Sequence, residues 1–124
     1  MRFKASLVLA LVLGGPLQAH HSGVMYDAMK EVTLKGTIKE FVFSNPHVTI
    51  LITVPDDKGQ PVDWSIEAAS TQSLVRSGWR KSSLKVGDTV TIVGRPLRDG
   101  RPGAQLVRAI LADGTELGRG GPNF

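Results

Sequence analysis

The chain has 124 residues, 41% hydrophobic and 21% charged, with 14 Gly, 7 Pro and no Cys. That is the size of one small domain, and the balance excludes a collagen-like, mucin-like or highly charged disordered chain. The absence of Cys rules out disulfides, thiolate metal sites, cysteine nucleophiles and cysteine-linked lipid, while the formal net charge of +4 points at first to an anionic partner.

Arg2 and Lys4 precede the apolar run Ala5 to Leu13, then Gly14, Gly15, Pro16 and Leu17-Gln18-Ala19. A basic start, a short apolar core and a small residue at the cut make a secretory signal. The run is too short for a membrane span, which takes about 20 apolar residues. Residues 1–19 are therefore expected to be a signal peptide cut after Ala19. The mature chain then starts at His20, periplasmic or secreted, with no stable membrane anchor. Removing Arg2 and Lys4 lowers the basic side chains from 15 to 13, against 11 acidic ones. The remaining cations are dispersed, apart from a loose group at Arg95, Arg98, Arg101 and Arg108. Without a dense basic stripe interleaved with exposed aromatics, no nucleic-acid partner is expected.

Residues 20–30 form an N-terminal arm ahead of the domain at 31–117. Glu31 to Phe43 is the first predicted strand: Val32, Leu34, Gly36 and Ile38 alternate with polar residues, then the parity slips to Phe41 and Phe43. A bulge or bend between Gly36 and Glu40 accounts for the slip. Asn45-Pro46 breaks the run, and His47 to Val54 follows with Val48, Ile50, Ile52 and Val54 on one face. Turn chemistry from Pro55 to Gly59 makes a hairpin with the third strand, whose inward face is Val62, Trp64, Ile66 and Ala68. Ser70 is an N-cap, Leu74 and Val75 form an apolar stripe, and Gly78 suits a left-handed C-terminal cap, so a short helix comes next. Thr89 to Arg95 and Gln105 to Leu111 are the last two strands, and residues 118–124 are a Gly-rich tail expected to be mobile. Three strands, a short helix and two strands, with a long bent first strand, describe a mainly β chain: an OB-like five-stranded Greek-key barrel. A small sandwich is the alternative.

The chain has three histidines: His20, His21 and His47. At a new terminus His20 carries a free α-amino group, whose pKa near 8 lets it shed its proton and chelate a metal together with the ring Nδ1. His21 or His47 supplies a third nitrogen. An all-nitrogen set suits Cu(II) and, less well, Zn(II) with an added water. The competing explanation is a solvated terminus, and a His47 that merely opens a strand and donates to a nearby carbonyl. His47 gains weight from its place in the loop between strands one and two, a ligand-facing loop in OB-like barrels.

Other residues carry less. Asp27, Glu31, Glu40 and Glu67 share no short motif and are read as solvated carboxylates. No nucleophile elbow or phosphate-cradling loop is present. Trp64 is assigned to the core, Trp79 to the end of the barrel, and Arg76 and Arg80 to a solvated helix face. Phe41, Phe43 and Leu51 form an apolar patch near His47, either a small second core beneath the arm or a partner surface.

The combination of His20-His21-Ser22, Val32-Thr33-Leu34-Lys35-Gly36-Thr37, Asn45-Pro46-His47, Ser77-Gly78-Trp79 and Leu84-Lys85-Val86-Gly87-Asp88 resembles a family of small exported bacterial proteins of unknown function. The resemblance spans nearly the whole mature chain. It implies an exported single domain and assigns no activity, substrate or cofactor. The expected function is an exported, non-catalytic binding module for a small ligand or metal ion, copper favoured over zinc, at His20, His21 and His47. The alternative is a metal-free envelope-protein interaction module working through the Phe41, Phe43 and Leu51 face.

Overall fold

The computed structural model describes residues 22–120. In chain order these form α1 (Ser22–Met25), β1 (Val32–Val42), β2 (Thr49–Pro55), β3 (Pro61–Glu67), α2 (Thr71–Arg76), β4 (Thr89–Pro96), β5 (Gly103–Leu111) and β6 (Glu116–Gly118). The strand order is β3-β2-β1-β4-β5-β6, and a further parallel pairing of β3 with β5 closes the first five strands into a barrel. This is the expected OB-like barrel with one short helix between the third and fourth strands.

The parity slip in β1 has the anticipated cause. Ile38 pairs with Ile52 but Glu40 pairs with Leu51, so Lys39 is one residue too many on its strand. The bulge turns Phe41 inward, opposite the fully buried Ile50. Lys39, left out of the ladder, reaches across to Asp63 on β3. Asp63 also accepts a bond from Thr53 Oγ1 at 2.8 Å. The Lys39 ammonium first, and the Thr53 hydroxyl second, hold the Asp63 carboxyl below its ordinary range.

Before the bulge, β1 turns from β2 toward β4, and Gly36 sits at the crossover: it pairs with Val90, and Thr37 next to it pairs with both Thr53 and Thr89. A Cβ there would stand 2.5 Å from the Thr53 carbonyl oxygen and 2.9 Å from Val54 Cγ2. Only glycine lets the strand bend this closely over its neighbour.

One end of the barrel is plugged by α2 and the segment after it. Ser70 Oγ accepts from the Ser73 amide, Gly78 takes φ +91° just beyond Ser77, and Leu74 faces the core, as expected. Trp79 is fully buried and donates its indole N–H to the Gly118 carbonyl at 2.7 Å. One difference from the expected order and one addition to it follow. Gly118 belongs to β6, paired with Arg108, so the chain is not free from residue 118. The arm is also docked: a Tyr26–Leu97 bridge and the Asp27 N–H to Pro96 carbonyl bond of 2.8 Å lay it along the end of β4.

Replacing Gly36 by Ala is expected to destabilise the domain by about 1–3 kcal/mol through backbone overpacking. Gly118→Ala, whose Cβ meets nothing within 4 Å, should change stability by less than about 0.5 kcal/mol. Urea unfolding of the two variants checks this. Equal midpoints would refute the close approach at Gly36.

Candidate functional site

The loop carrying His47 is held from two sides. Asn45 Oδ1 accepts from the Thr71 N–H at 3.0 Å and from Thr71 Oγ1 at 2.9 Å, which fastens the loop to the first turn of α2. The Val48 N–H donates to the Ala69 carbonyl and the Ala68 N–H to the Val48 carbonyl, continuing the β2–β3 pairing past Thr49 and Glu67. His47 is thereby fixed at the barrel rim with its side chain 41% exposed. Its Nδ1 lies 3.2 Å from the Ala68 carbonyl oxygen and 3.6 Å from Glu67 Oε1. The first contact is a hydrogen bond; the second is too long for one.

Glu67 belongs to a row running across the outside of the barrel. Arg95 pairs with Gln105, Gln105 with Glu67, and Glu67 with Thr49. The neighbours Ala104, Leu106 and Ile66 point into the core, so Gln105 and Glu67 point outward by strand alternation. Gln105 is nevertheless only 3% exposed. Its cover comes from the arm. Tyr26 bridges to Leu97, next to β4, and its hydroxyl donates to Glu67 Oε2 on β3 at 2.9 Å, so its side chain crosses the intervening β5. Arg98 reinforces the docking, its backbone N–H donating to the Met25 carbonyl and its Nε to the Val24 carbonyl.

Two atoms beneath this cover, Glu67 Oε1 and Gln105 Nε2, are buried with no hydrogen-bond partner. Such atoms are costly and rare in folded proteins. Burial pushes the Tyr26 phenol well above its ordinary range, with the adjacent Glu67 carboxylate adding to the effect. A groove of about 410 Å³ continues along the β3–β5 seam, lined by Met25, Tyr26, Ser65, Leu97, Arg101 and Gly103 among others.

Of the three expected histidines, His47 stands in this site, while His20 and His21 lie outside the described residues. Among the described residues no three His, Asp or Glu side chains converge as a metal set. The expected Phe41, Phe43 and Leu51 patch is divided by the barrel wall. Phe41 and Phe43 pack on the core, their ring centroids 5.7 Å apart, with Phe41 also 6.1 Å from Trp79. Leu51 lies on the opposite face, across from Glu40 and Ser65. The strand bulge separates them. Arg80 is exposed as expected but lies beyond α2, where it donates to the Val75 and Trp79 carbonyls. The residues that sequence reasoning missed are Tyr26 and Gln105, together with the part played by Glu67. Alternation with Ile66 and Ala68 marked Glu67 as outward, and nothing local to Glu67 or Gln105 signals an arm crossing from 40 to 80 positions away.

The barrel and its rim site define an OB fold. A solved structure of the same architecture is the mitochondrial single-stranded DNA-binding protein Rim1 from S. cerevisiae, with a TM-score of 0.51 and 14% sequence identity over 67% of this chain and 93% of that one. The chain belongs to the family of unknown function DUF6152, whose model matches residues 9–105. Among curated proteins none matches the sequence. The likeness to Rim1 shows the fold, and it corrects one expectation: the exclusion of a nucleic-acid partner is withdrawn, because a barrel of this architecture is found in a single-stranded DNA-binding protein. No helix among the described residues is long and apolar enough to cross a membrane.

Tyr26 is the sole tyrosine of the chain, so the absorbance of phenolate reports it alone. Its titration midpoint should lie clearly above the ordinary value of 10. Because the unfolded chain releases this proton first, stability should fall as pH rises above about 10 and level off only beyond the folded midpoint. A midpoint near 10 in the folded protein would contradict the buried hydroxyl and its bond to Glu67.

Proposed function

We propose that the protein is an exported, non-catalytic binding module that holds a metal ion, copper favoured, between His47 and the histidines His20 and His21 of the processed amino terminus. The observation that carries this reading is the docking of the arm on His47's side of the barrel. Tyr26, six positions after His20, is bonded to Glu67, which approaches the His47 ring. In the sequence His20 stands two positions before Ser22, the first residue of α1. The export signal in residues 1–19 supports the compartment and supplies the free amine at His20.

The test is intact-mass and metal analysis of protein purified from the periplasm, followed by Cu(II) titration. A mature mass starting at His20 and submicromolar copper affinity are expected. One extra residue ahead of His20 should abolish this binding, and His47→Ala should weaken it at least tenfold. Equal affinity in all three forms would remove the proposal.

A second reading is favoured by the likeness to Rim1 together with the position of Arg101 in the seam groove and Arg98 beside it. Single-stranded nucleic acid would lie along that groove. Fluorescence anisotropy with a labelled oligonucleotide should then give an affinity that falls with added salt and with Arg101→Ala. A salt-independent or absent signal rejects this reading.

A further inference from the structure

We propose that the β3–β5 seam holds a binding site for a neutral sugar, in which Glu67 and Gln105 clasp two adjacent hydroxyl groups and Tyr26 is the cover. The site lies wholly within residues 22–120, needs no metal ion and stands independently of the metal-binding reading above.

It starts from two unmatched atoms. Among the described residues, the buried side-chain atoms without a hydrogen-bond partner are Glu67 Oε1, an acceptor, and Gln105 Nε2, a donor. Their residues are direct partners across the seam, and Gln105 is 3% exposed. The two side chains do not satisfy one another. Nor does His47 satisfy the carboxylate, since its Nδ1 is 3.6 Å from Glu67 Oε1 and is bonded to the Ala68 carbonyl. A missing donor and a missing acceptor therefore stand side by side, and leaving both unmet is costly.

A groove leads up to this pair. Ser65 and Gly103 form the next outward pair along the seam, and both line the groove of about 410 Å³. That volume is within the range of small-molecule sites. Tyr26 belongs to both places, lining the groove and donating its hydroxyl to Glu67 Oε2. Its ring is thus the partition between the groove and the buried pair. Turning the ring aside breaks one side-chain hydrogen bond, while the Tyr26–Leu97 bridge and the Asp27 N–H bond to the Pro96 carbonyl keep the arm backbone in place.

Charge and hydrogen-bonding capacity select the ligand. A carboxylate or phosphate would satisfy the Gln105 amide but press its oxygen against Glu67 Oε1. A cation would satisfy Glu67 but face the amide N–H, with Arg101 in the groove and Arg95 next to Gln105 in the pairing. A hydroxyl both donates and accepts and rotates to suit, so two neighbouring hydroxyls meet both needs without adding charge. The Tyr26 hydroxyl, already bonded to Glu67, occupies the place of such a group. Met25, Leu97 and the Tyr26 ring supply apolar contact for the C–H face of a sugar ring.

The experiment follows the Gln105 side-chain amide and Tyr26 ring signals by NMR in the full chain, as glucose, mannose, galactose or ribose is added, with acetamide and inorganic phosphate as comparisons. At least one sugar at millimolar concentration is expected to shift both sets of signals saturably and without dependence on salt. Gln105→Met keeps the length and removes the donor, and should weaken binding about tenfold or more. Tyr26→Phe removes the competing hydroxyl and should tighten binding severalfold, whereas the loss of a purely structural contact would weaken it. Should Gln105→Met fail to fold, the wild-type amide shift and the Tyr26→Phe comparison decide. The proposal is overturned if no sugar moves these signals, if only acetamide or phosphate does, or if the shift vanishes with added salt. A water in contact with the Gln105 amide that persists at saturating sugar also overturns it, because the pair then holds solvent alone.

Discussion

Closure of the barrel depends on the short parallel seam in which Ser65, Ile66 and Glu67 of β3 meet Gly103, Ala104 and Gln105 of β5. Without it the molecule would be an open antiparallel sheet with two free sides. The seam forms because β1 can bend at Gly36 and shift register at Lys39, which swings β2 and β3 round to β5. Ile66 and Ala104 then enter the core from opposite sides of the join. The same alternation places Glu67 and Gln105 on the outer surface, directly beside one another. The polar row is thus a by-product of the way the barrel shuts.

An outward glutamine and glutamate would ordinarily be solvated. Here Tyr26 lies across them, and the result is a carboxylate with one bonded and one bare oxygen. The arrangement ties down the arm while leaving one carboxylate oxygen beneath it without a hydrogen-bond partner. Natural proteins tolerate such groups mostly where they serve function. That His47 stands at the edge of the same row joins the rim loop, the seam and the arm in one local neighbourhood, drawn from four distant parts of the chain.

The barrel was legible in the sequence because its signals are local. Alternation located every one of the five barrel strands, the slip from Ile38 to Phe41 revealed the bulge, and Ser70 with Gly78 bracketed α2. The short β6 was not legible: Glu116–Gly118 is too brief to show a period, and its place is set by Trp79 reaching Gly118 from far upstream. The site was legible only at His47. Glu67 reads as an ordinary surface acid, and nothing in the sequence singles out Gln105 or Tyr26, because their meeting depends on closure and docking. The division of Phe41 from Leu51 shows the converse error, in which residues near one another along two paired strands were grouped without regard to which side of the sheet each occupies. Exclusion of a nucleic-acid partner failed for another reason, since charge density along a chain says little about the surface a barrel presents.

The outer side of β5 is divided between two neighbours, its first residues joined to β3 and its later ones, Arg108 to Ile110, joined to β6. This strand therefore offers copies of the chain almost no unpaired backbone on which to add a strand of their own. Three residues near the carboxyl end, too few to look like structure in the sequence, take over the edge of the sheet and shorten it to the length of β6.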